Sequence, residues 1–566
     1  MKLWIVLDEK INKLDIKNGD SVFLSSVRKE QINSGIKAYY FDIFFNSEDE
    51  KLANSVNDLF TTIPSKWHVM KNTCYNLIFL PVISVIHQLD DIIEKNRICE
   101  IVLVGGSMHP FFTMTKGDGE GEKKLYKSNW LFNYFIYLYF STNNKLKLTW
   151  VKKHKKINFI ILQYFREIMF FVRGCVAELS RYLRNVKKDS VETESLNQAA
   201  IPVKLNLQMR HMNQLLENQN VINPVYLVPA NISIDDDISG DYIKLRPCNV
   251  KELYIVIKES ISCGKVCKKG AFYYGDFKFE IPMMALIRAM VPEYFRESCF
   301  TYQVEKIIKE QKNIVYLLTD FTYGVALKKL HEFAHEADLK HYNFQYVSMQ
   351  KVLLPDLKLA DRYYLHTKST YDLYKKYNSS YLFYMPVIRT DDMVHGDRVN
   401  VVTFFLQPDK YAMRYYNILT ELLDEIQKRD ISLKVIIKPH YRQNMLEIFE
   451  KLAKSYEFCS LAMKDESVAE LLDNSDIMLS MTSSVLFESV MRNVPGIIMD
   501  IDGQDEELIN NNDSFLKEVN YRAKSCEEIL EIFADISSFK KTYSMRRNVY
   551  LKQFDNVGIT NEVFNA

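Results

Sequence analysis

Short apolar runs alternating with longer amphipathic stretches dominate the last third of the chain. Val401–Leu406, Leu433–Ile437, Phe458–Leu461, Ile477–Leu479 and Gly496–Met499 are each the length of one strand. Between them, helical periodicity covers Tyr411–Arg429, Asn444–Tyr456, Ser467–Asp473 and Val485–Arg492. Alternation of this kind implies right-handed crossovers onto a parallel sheet. The first half carries a looser version of the same pattern. Strands are expected at Leu3–Leu7, Val22–Leu24, Ala38–Phe44, Asn76–Leu80 and Ile101–Val104, with helices at Ser47–Leu59 and Val82–Glu94. Further strands are expected at Leu253–Ile257, Ile314–Leu318 and Tyr363–His366.

These patterns partition the chain. Residues 1–125 and 237–390 are expected to form one discontinuous Rossmann-like unit, interrupted by a mainly helical, basic and aromatic insertion over 126–236. Residues 391–399 form a linker, and 400–566 a second Rossmann-like unit. The fold class is therefore α/β, with two Rossmann-like domains facing a cleft.

Composition narrows the function. With 566 residues and 47% apolar side chains, the chain folds and needs more than one core. Its 73 basic and 72 acidic side chains nearly cancel, so no global field draws it to nucleic acid. Nine scattered cysteines form no disulfide framework and fit a reducing, cytoplasmic setting. Met1–Asp8 turns polar too soon for a signal peptide, and neither Trp130–Phe140 nor Ile157–Val172 suits a bilayer span. The insertion does place Lys145, Lys147, Lys152, Lys153, His154, Lys155 and Lys156 ahead of the apolar Ile157–Val172, and Arg173, Arg181, Arg184, Lys187 and Lys188 after it. That arrangement suits either a core helix with solvated ends or peripheral contact with an anionic membrane.

The candidate chemistry sits at strand ends. Leu433–Ile437 runs into Lys438-Pro439-His440-Tyr441-Arg442, three cationic side chains where open α/β sheets bind ligands. Ile477–Leu479 runs into Ser480, Thr482, Ser483 and Ser484 at a helix start, where hydroxyls, free backbone N–H groups and the dipole suit a phosphate. Glu488 follows one turn later, placed to accept from a ribose. The plain alternatives are a turn and a helix cap.

With its spacing from Ser475-Asp476, this pair of segments resembles the C-terminal half of bacterial GT-B surface-polysaccharide transferases, the capsule, sialyl and teichoic-acid polymer enzymes. Val347–Gln350 through Leu354-Pro355 to Asp361–Leu365 is similar to the segment leading out of their N-terminal domain. The resemblance implies a metal-independent glycosyltransferase without cofactor. Lys438, His440, Arg442, Thr482, Ser483, Ser484 and Glu488 would bind the donor, a CMP-activated acidic sugar in first place and a UDP-sugar otherwise. The acceptor would be a glycan or a lipid-linked glycan, and transfer would invert. It also implies a C-terminal helix near Lys540–Phe554 packed against the first domain. Tyr441 stands where the sialyl-type motif has Pro.

An inverting transfer needs a base from the acceptor side. Asp320, ending Asn313–Asp320, is the first candidate and Asp8 the second, with His440 as the catalytic cation on the leaving phosphate. Three other readings remain: a CDP-polyol phosphotransferase or epimerase using the same loops, a zinc hydrolase using His331-Glu332-x-x-His335, and a non-catalytic scaffold.

Overall fold

The computed structural model describes residues 1–6, 14–25, 36–41, 50–105, 130–142, 146–151, 156–185, 198–204, 208, 209, 212, 213, 216, 223–230, 232, 234, 241–262, 264–311, 313–320, 324–345, 353–365, 368–383, 398–407, 412–440, 445–464, 466–481, 483–501 and 518–552. Asp8, Arg442 and Thr482 lie outside them, as does most of the 391–399 linker.

Three parallel sheets follow one another along the chain. The first is β3-β2-β1-β4-β5, built from β1 (Lys2–Val6), β2 (Ser21–Ser25), β3 (Lys37–Phe41), β4 (Glu100–Val104) and β5 (Lys147–Val151). The second is β8-β7-β6-β11-β12-β13-β14, from β6 (Gln198–Pro202), β7 (Asn223–Pro229), β8 (Asp241–Leu245), β11 (Ile314–Thr319), β12 (Lys340–Phe344), β13 (Arg362–Leu365) and β14 (Tyr381–Phe383). An antiparallel hairpin, β9 (Lys269–Tyr274) with β10 (Phe277–Pro282), stands apart from it. The third sheet is β17-β16-β15-β18-β19-β20, from β15 (Val401–Phe405), β16 (Lys434–Lys438), β17 (Cys459–Leu461), β18 (Ile477–Ser480), β19 (Gly496–Met499) and β20 (Tyr521–Ala523). In every sheet the first strand lies inside, the next two step away on one side, and the chain returns to build the other side. That is the 3-2-1-4-5 order of a doubly wound fold, with a switch point beside the first strand.

The third unit shows why these residues fold this way. Its central strands are buried on both faces, so they read as unbroken apolar runs. Alternate residues supply the two faces. Val402, Phe404, Ile477, Leu479, Ile497 and Met499 enter one core, with helices Ala412–Lys428, Leu446–Lys454 and Cys526–Ala534. Phe405, Met478 and Ile498 enter the other, under helices Val468–Asp473, Val485–Met491 and Ile536–Leu551. A Cβ on Gly496 would stand 2.1 Å from Asn520 Oδ1, so glycine alone fits at that approach.

Two Rossmann-like units are present, as the second and third sheets, and a further parallel sheet of the same winding precedes them. Residues 1–125 and 237–390, expected to share a sheet, instead hydrogen-bond in separate ones. They do share one apolar core, joining Leu3, Ile5 and Phe60 to Leu245, Leu286 and Leu317. Asn72 seals the joint through Asp356, donating to its O at 2.7 Å and accepting from its N at 3.0 Å. The 126–236 segment holds helices, but also β5, which completes the first sheet, and β6, the inner strand of the second.

Two expected strands are helical. Leu253–Ile257 lies in helix Val250–Ile261, started by a capping box in which Asn249 Oδ1 accepts from Glu252 N (3.0 Å) and Glu252 Oε2 from Asn249 N (2.8 Å). Asn76–Leu80 forms a π-helical turn entering helix Leu80–Asn96. Tyr75, Ile78 and Phe79 there are fully buried, and a run apolar on all sides carries no strand-or-helix signal. The C-terminal helix packs within its own unit. Arg547 donates to Val490 O (2.6 Å) and Met491 O (3.1 Å), and Tyr543 Oη to Val494 O (3.0 Å), satisfying carbonyls at and beyond the end of helix Val485–Met491.

Candidate functional site

At the carboxyl edge of the third sheet, β15 lies between β16 and β18. Lys438-Pro439-His440 leaves β16 on one side, and Ser480 to Ser484 leaves β18 on the other. Two strand spacings, about 10 Å, separate these exits. Beneath them the switch point is tied shut. Ser480 Oγ donates to Phe405 O at 2.8 Å, and Tyr415 Oη accepts from Met481 N at 3.1 Å. Neither Ser480 nor Tyr415 is solvent-exposed, so this floor is fixed before any ligand arrives.

The hydroxyl turn sits above that floor. Ser483 Oγ accepts from Val485 N at 3.3 Å, while the backbone oxygens of Ser483 and Ser484 accept from Leu486 and Phe487. Ser484 is the N-cap residue of helix Val485–Met491, and its side chain makes no cap bond. Ser483, Ser484 and His440 are all partly exposed. Glu488, one turn in, is also only partly exposed. Desolvation pushes its carboxyl up to about 7, with Arg492 pulling the other way. It is thus poised to change charge near neutrality.

Lys438 differs from its expected role. Its ammonium is 5% exposed as a residue and donates to Met463 O (2.5 Å) and Lys464 O (2.9 Å), pinning the chain that leaves β17. A buried ammonium needs such partners. Its charge still lies beneath the edge where the hydroxyl and imidazole groups are offered. Just past β19, Asp500 Oδ2 accepts from Nε of Arg522, in β20, at 2.6 Å, a pairing of which the sequence carries no sign. Two acid–base residues far apart in sequence carry no local motif. A shallow recess of about 350 Å³, lined by Asn400, Lys434 and Ser460 among others, lies at the amino edge, on the wrong side for a ligand of this fold.

Asp320 also reaches a carboxyl edge, that of β11 beside β6 in the second sheet. It is 2% exposed. Gln208 Nε2 donates to its Oδ1 at 2.5 Å, and Gln208 Oε1 accepts from Lys204 N at 2.7 Å, so one amide clamps both loops of this switch point. Burial, and the Asp320 charge after it, raise the Tyr226 phenol. The Tyr363 phenol is likewise raised by burial and the same carboxylate, against a bond from Asn343. The buried carboxylate is thus held by Gln208, and its charge is felt at Tyr226 and Tyr363. In the first sheet Asn133 and Trp150 both donate to the carbonyl of Gly105, just past β4.

His331 and His335 share helix Val325–Glu336, with ring centroids 5.9 Å apart. His331 Nδ1 faces His341 Nδ1 at 3.4 Å, and His341 Nε2 meets Thr319 Oγ1 at 3.0 Å. Burial lowers both His331 and His341, well below the usual value for His341. His331 and His341 therefore belong to a hydrogen-bonded chain that ends with Thr319 donating to Asn343 Oδ1 at 2.6 Å. Among the described residues no group of three His, Cys, Asp or Glu is placed to hold a metal.

No family model matches the chain, and the comparison with curated proteins gives no match. Three of the solved structures to which it is similar show the level of likeness. One is the S. aureus MnaA–UDP co-structure, at 12% identity and TM-score 0.38, covering 62% of this chain and 91% of that one. Another is UDP-GlcNAc 2-epimerase from Neisseria meningitidis bound to UDP-GlcNAc, at 11% and 0.39, covering 62% and 93%. The third is the wall teichoic acid polymerase TagF, at 9% and 0.40, covering 71% and 95%. Likeness at this level assigns no function.

Proposed function

We propose that the chain is a metal-independent glycosyltransferase of GT-B type, acting in the cytoplasm on a surface-glycan acceptor. The observation that carries this reading is the carboxyl edge of the third sheet, where partly exposed His440, Ser483 and Ser484 stand on either side of the switch-point strand over a preformed floor. A nucleotide phosphate fits that chemistry. His440 offers a ring N–H or a cation, the two serines offer hydroxyls, and the buried Lys438 ammonium adds positive potential from below. As the glycosidic bond to the leaving phosphate breaks, charge builds on its oxygen. Donors already aimed there stabilise the transition state more than the ground state. Thr482 and Arg442 extend the same loops. Glu488 is the group for the ribose, and the nucleotide is that of a CMP-activated acidic sugar, with UDP-sugars next.

In this conformation Asp320 acts as a clamp on the acceptor-side switch point. The residue is 2% exposed, so for its carboxylate to take the acceptor's proton it has to be uncovered. The test of the whole reading is a thermal-shift screen with CMP, UDP, GDP and CDP. A ligand at a hundred times its Kd stabilises the native state by about 2.7 kcal/mol, so one nucleotide should raise the melting temperature while the others do not. CDP alone would point to a polyol-phosphate donor. No shift with any nucleotide, and no donor hydrolysis, would sink the transferase reading.

A further inference from the structure

Helix Lys156–Asn185, 30 residues long, is the strongest feature that the transferase site leaves unused. One face of it is seated. Phe171, Cys175 and Leu179 pack with Phe295 and Cys299 of helix Met283–Glu310 and with Leu253 and Val256 of helix Val250–Ile261. A Cβ on Gly174 would meet the Phe295 ring at 3.3 Å, so the two helices approach closely there. The adjoining face is bare. Phe165, Ile168, Val172, Val176 and Leu183 are 63, 58, 44, 59 and 67% exposed. Their spacing of 3, 4, 4 and 7 residues puts them in a single stripe along the helix. Nearby, helix Val250–Ile261 exposes Val250, Tyr254 and Ile261 alongside Lys251 and Lys258.

Charge identifies what the stripe meets. Residues 152–188 hold ten Lys and Arg against two acidic residues, Glu167 and Glu178. That is a net charge of +8 in a chain whose total is +1, so the remainder carries −7. Glu178 is moreover buried and neutralised by Arg181 at 2.6 Å, with Gln303 on its other oxygen. A second copy of this chain is a poor occupant, because an isologous dimer through this face would oppose two strongly positive surfaces. Among the described residues no helix is long and apolar enough to cross a membrane. An amphipathic helix with an apolar stripe and basic flanks instead lies in the plane of an anionic interface, burying the stripe among acyl chains with its cations at the headgroups.

We propose that the exposed stripe of helix Lys156–Asn185 docks the protein on an anionic lipid bilayer. This stands independently of the donor site. The test is flotation of the full chain with phosphatidylcholine vesicles containing about a quarter phosphatidylglycerol. The wild type should float, and roughly tenfold less should do so with pure phosphatidylcholine or at about 0.5 M salt. Ile168→Ser/Val172→Ser/Val176→Ser should cut flotation by about tenfold or more with its melting temperature unchanged. Val549→Ser, at another exposed apolar position (69%), should float as the wild type does. Wild type that stays unbound on anionic vesicles, or a triple variant that floats undiminished, would overturn the proposal. So would light scattering that shows a wild-type dimer dissociated by the triple variant, which would make the stripe a contact between copies.

Discussion

The second and third sheets have the same winding and opposite edges. In the second, at the switch point between β6 and β11, Asp320 is buried and held by Gln208. In the third, the point between β15 and β18 is floored by Tyr415 and Ser480 but presents Ser483, Ser484 and His440 above. The same winding thus yields one edge that stiffens the fold and one that presents partly exposed polar groups. Winding supplies a place for a ligand, while side chains decide whether the place is open.

That contrast can be broken most severely at the open edge. His440→Ala and Ser483→Ala should each lower transfer ten- to a hundredfold, equivalent to about 1.5–3 kcal/mol for a bond to a charged phosphate. Melting temperatures should hardly move, since neither side chain belongs to the apolar cores. If both contact one phosphate, the double variant should lose less than the product of the single losses. Full activity in both single variants would reduce these loops to a turn and a cap.

At the closed edge the effect should appear in stability. Asp320→Ala leaves the buried Gln208 amide without its acceptor, a loss of about 1–3 kcal/mol readable by urea unfolding. Asp320→Asn, which keeps the shape, should cost transfer less than about tenfold. A fall of roughly 10²- to 10⁴-fold in a folded Asp320→Asn protein would instead make this carboxylate the catalytic base and the edge an active one.

Glu488 offers a smaller, pH-resolved effect. Its folded carboxyl titrates at about 7, against about 4.3 in an unfolded chain. The folded state therefore binds the proton more tightly. The resulting stability is complete below the unfolded value and is lost as pH rises through 7. Relative to Glu488→Gln, the wild type should lose stability between about pH 4.5 and 7. A constant difference in melting temperature across that window would show that Glu488 is solvated.

The smallest effect is expected from the histidine pair. His331→Ala should leave transfer within about twofold, and transfer should survive a strong chelator. Stoichiometric zinc lost with that substitution would move the chemistry away from the third sheet.

Much of this was legible in the residues alone. All five strands read in the last third are there, because strands buried on both faces are spelled as short unbroken apolar runs between amphipathic helices. The same reasoning placed Lys438 and Ser483 at the carboxyl edge, since both directly end or follow such runs. Where a run was apolar on every side, as at Asn76–Leu80, strand and helix look alike. At Leu253–Ile257 the deciding signal was present as Asn249 and Glu252, a capping box that outweighs β-branched content.

Partnership between distant segments was decided only in three dimensions. β6, Gln-Ala-Ala-Ile-Pro, is too short and mild to announce itself, yet it is the inner strand of the second sheet and separates that sheet from the first. Lys438 reads as a phosphate ligand until Met463 and Lys464, more than twenty residues later, claim its ammonium. Asp320 reads as an open base until Gln208, 112 residues earlier, closes over it. Local periodicity reports which face of an element is buried. Whether a charge at its end is satisfied depends on hydrogen-bond partners brought from elsewhere in the chain, and only the packed structure brings them.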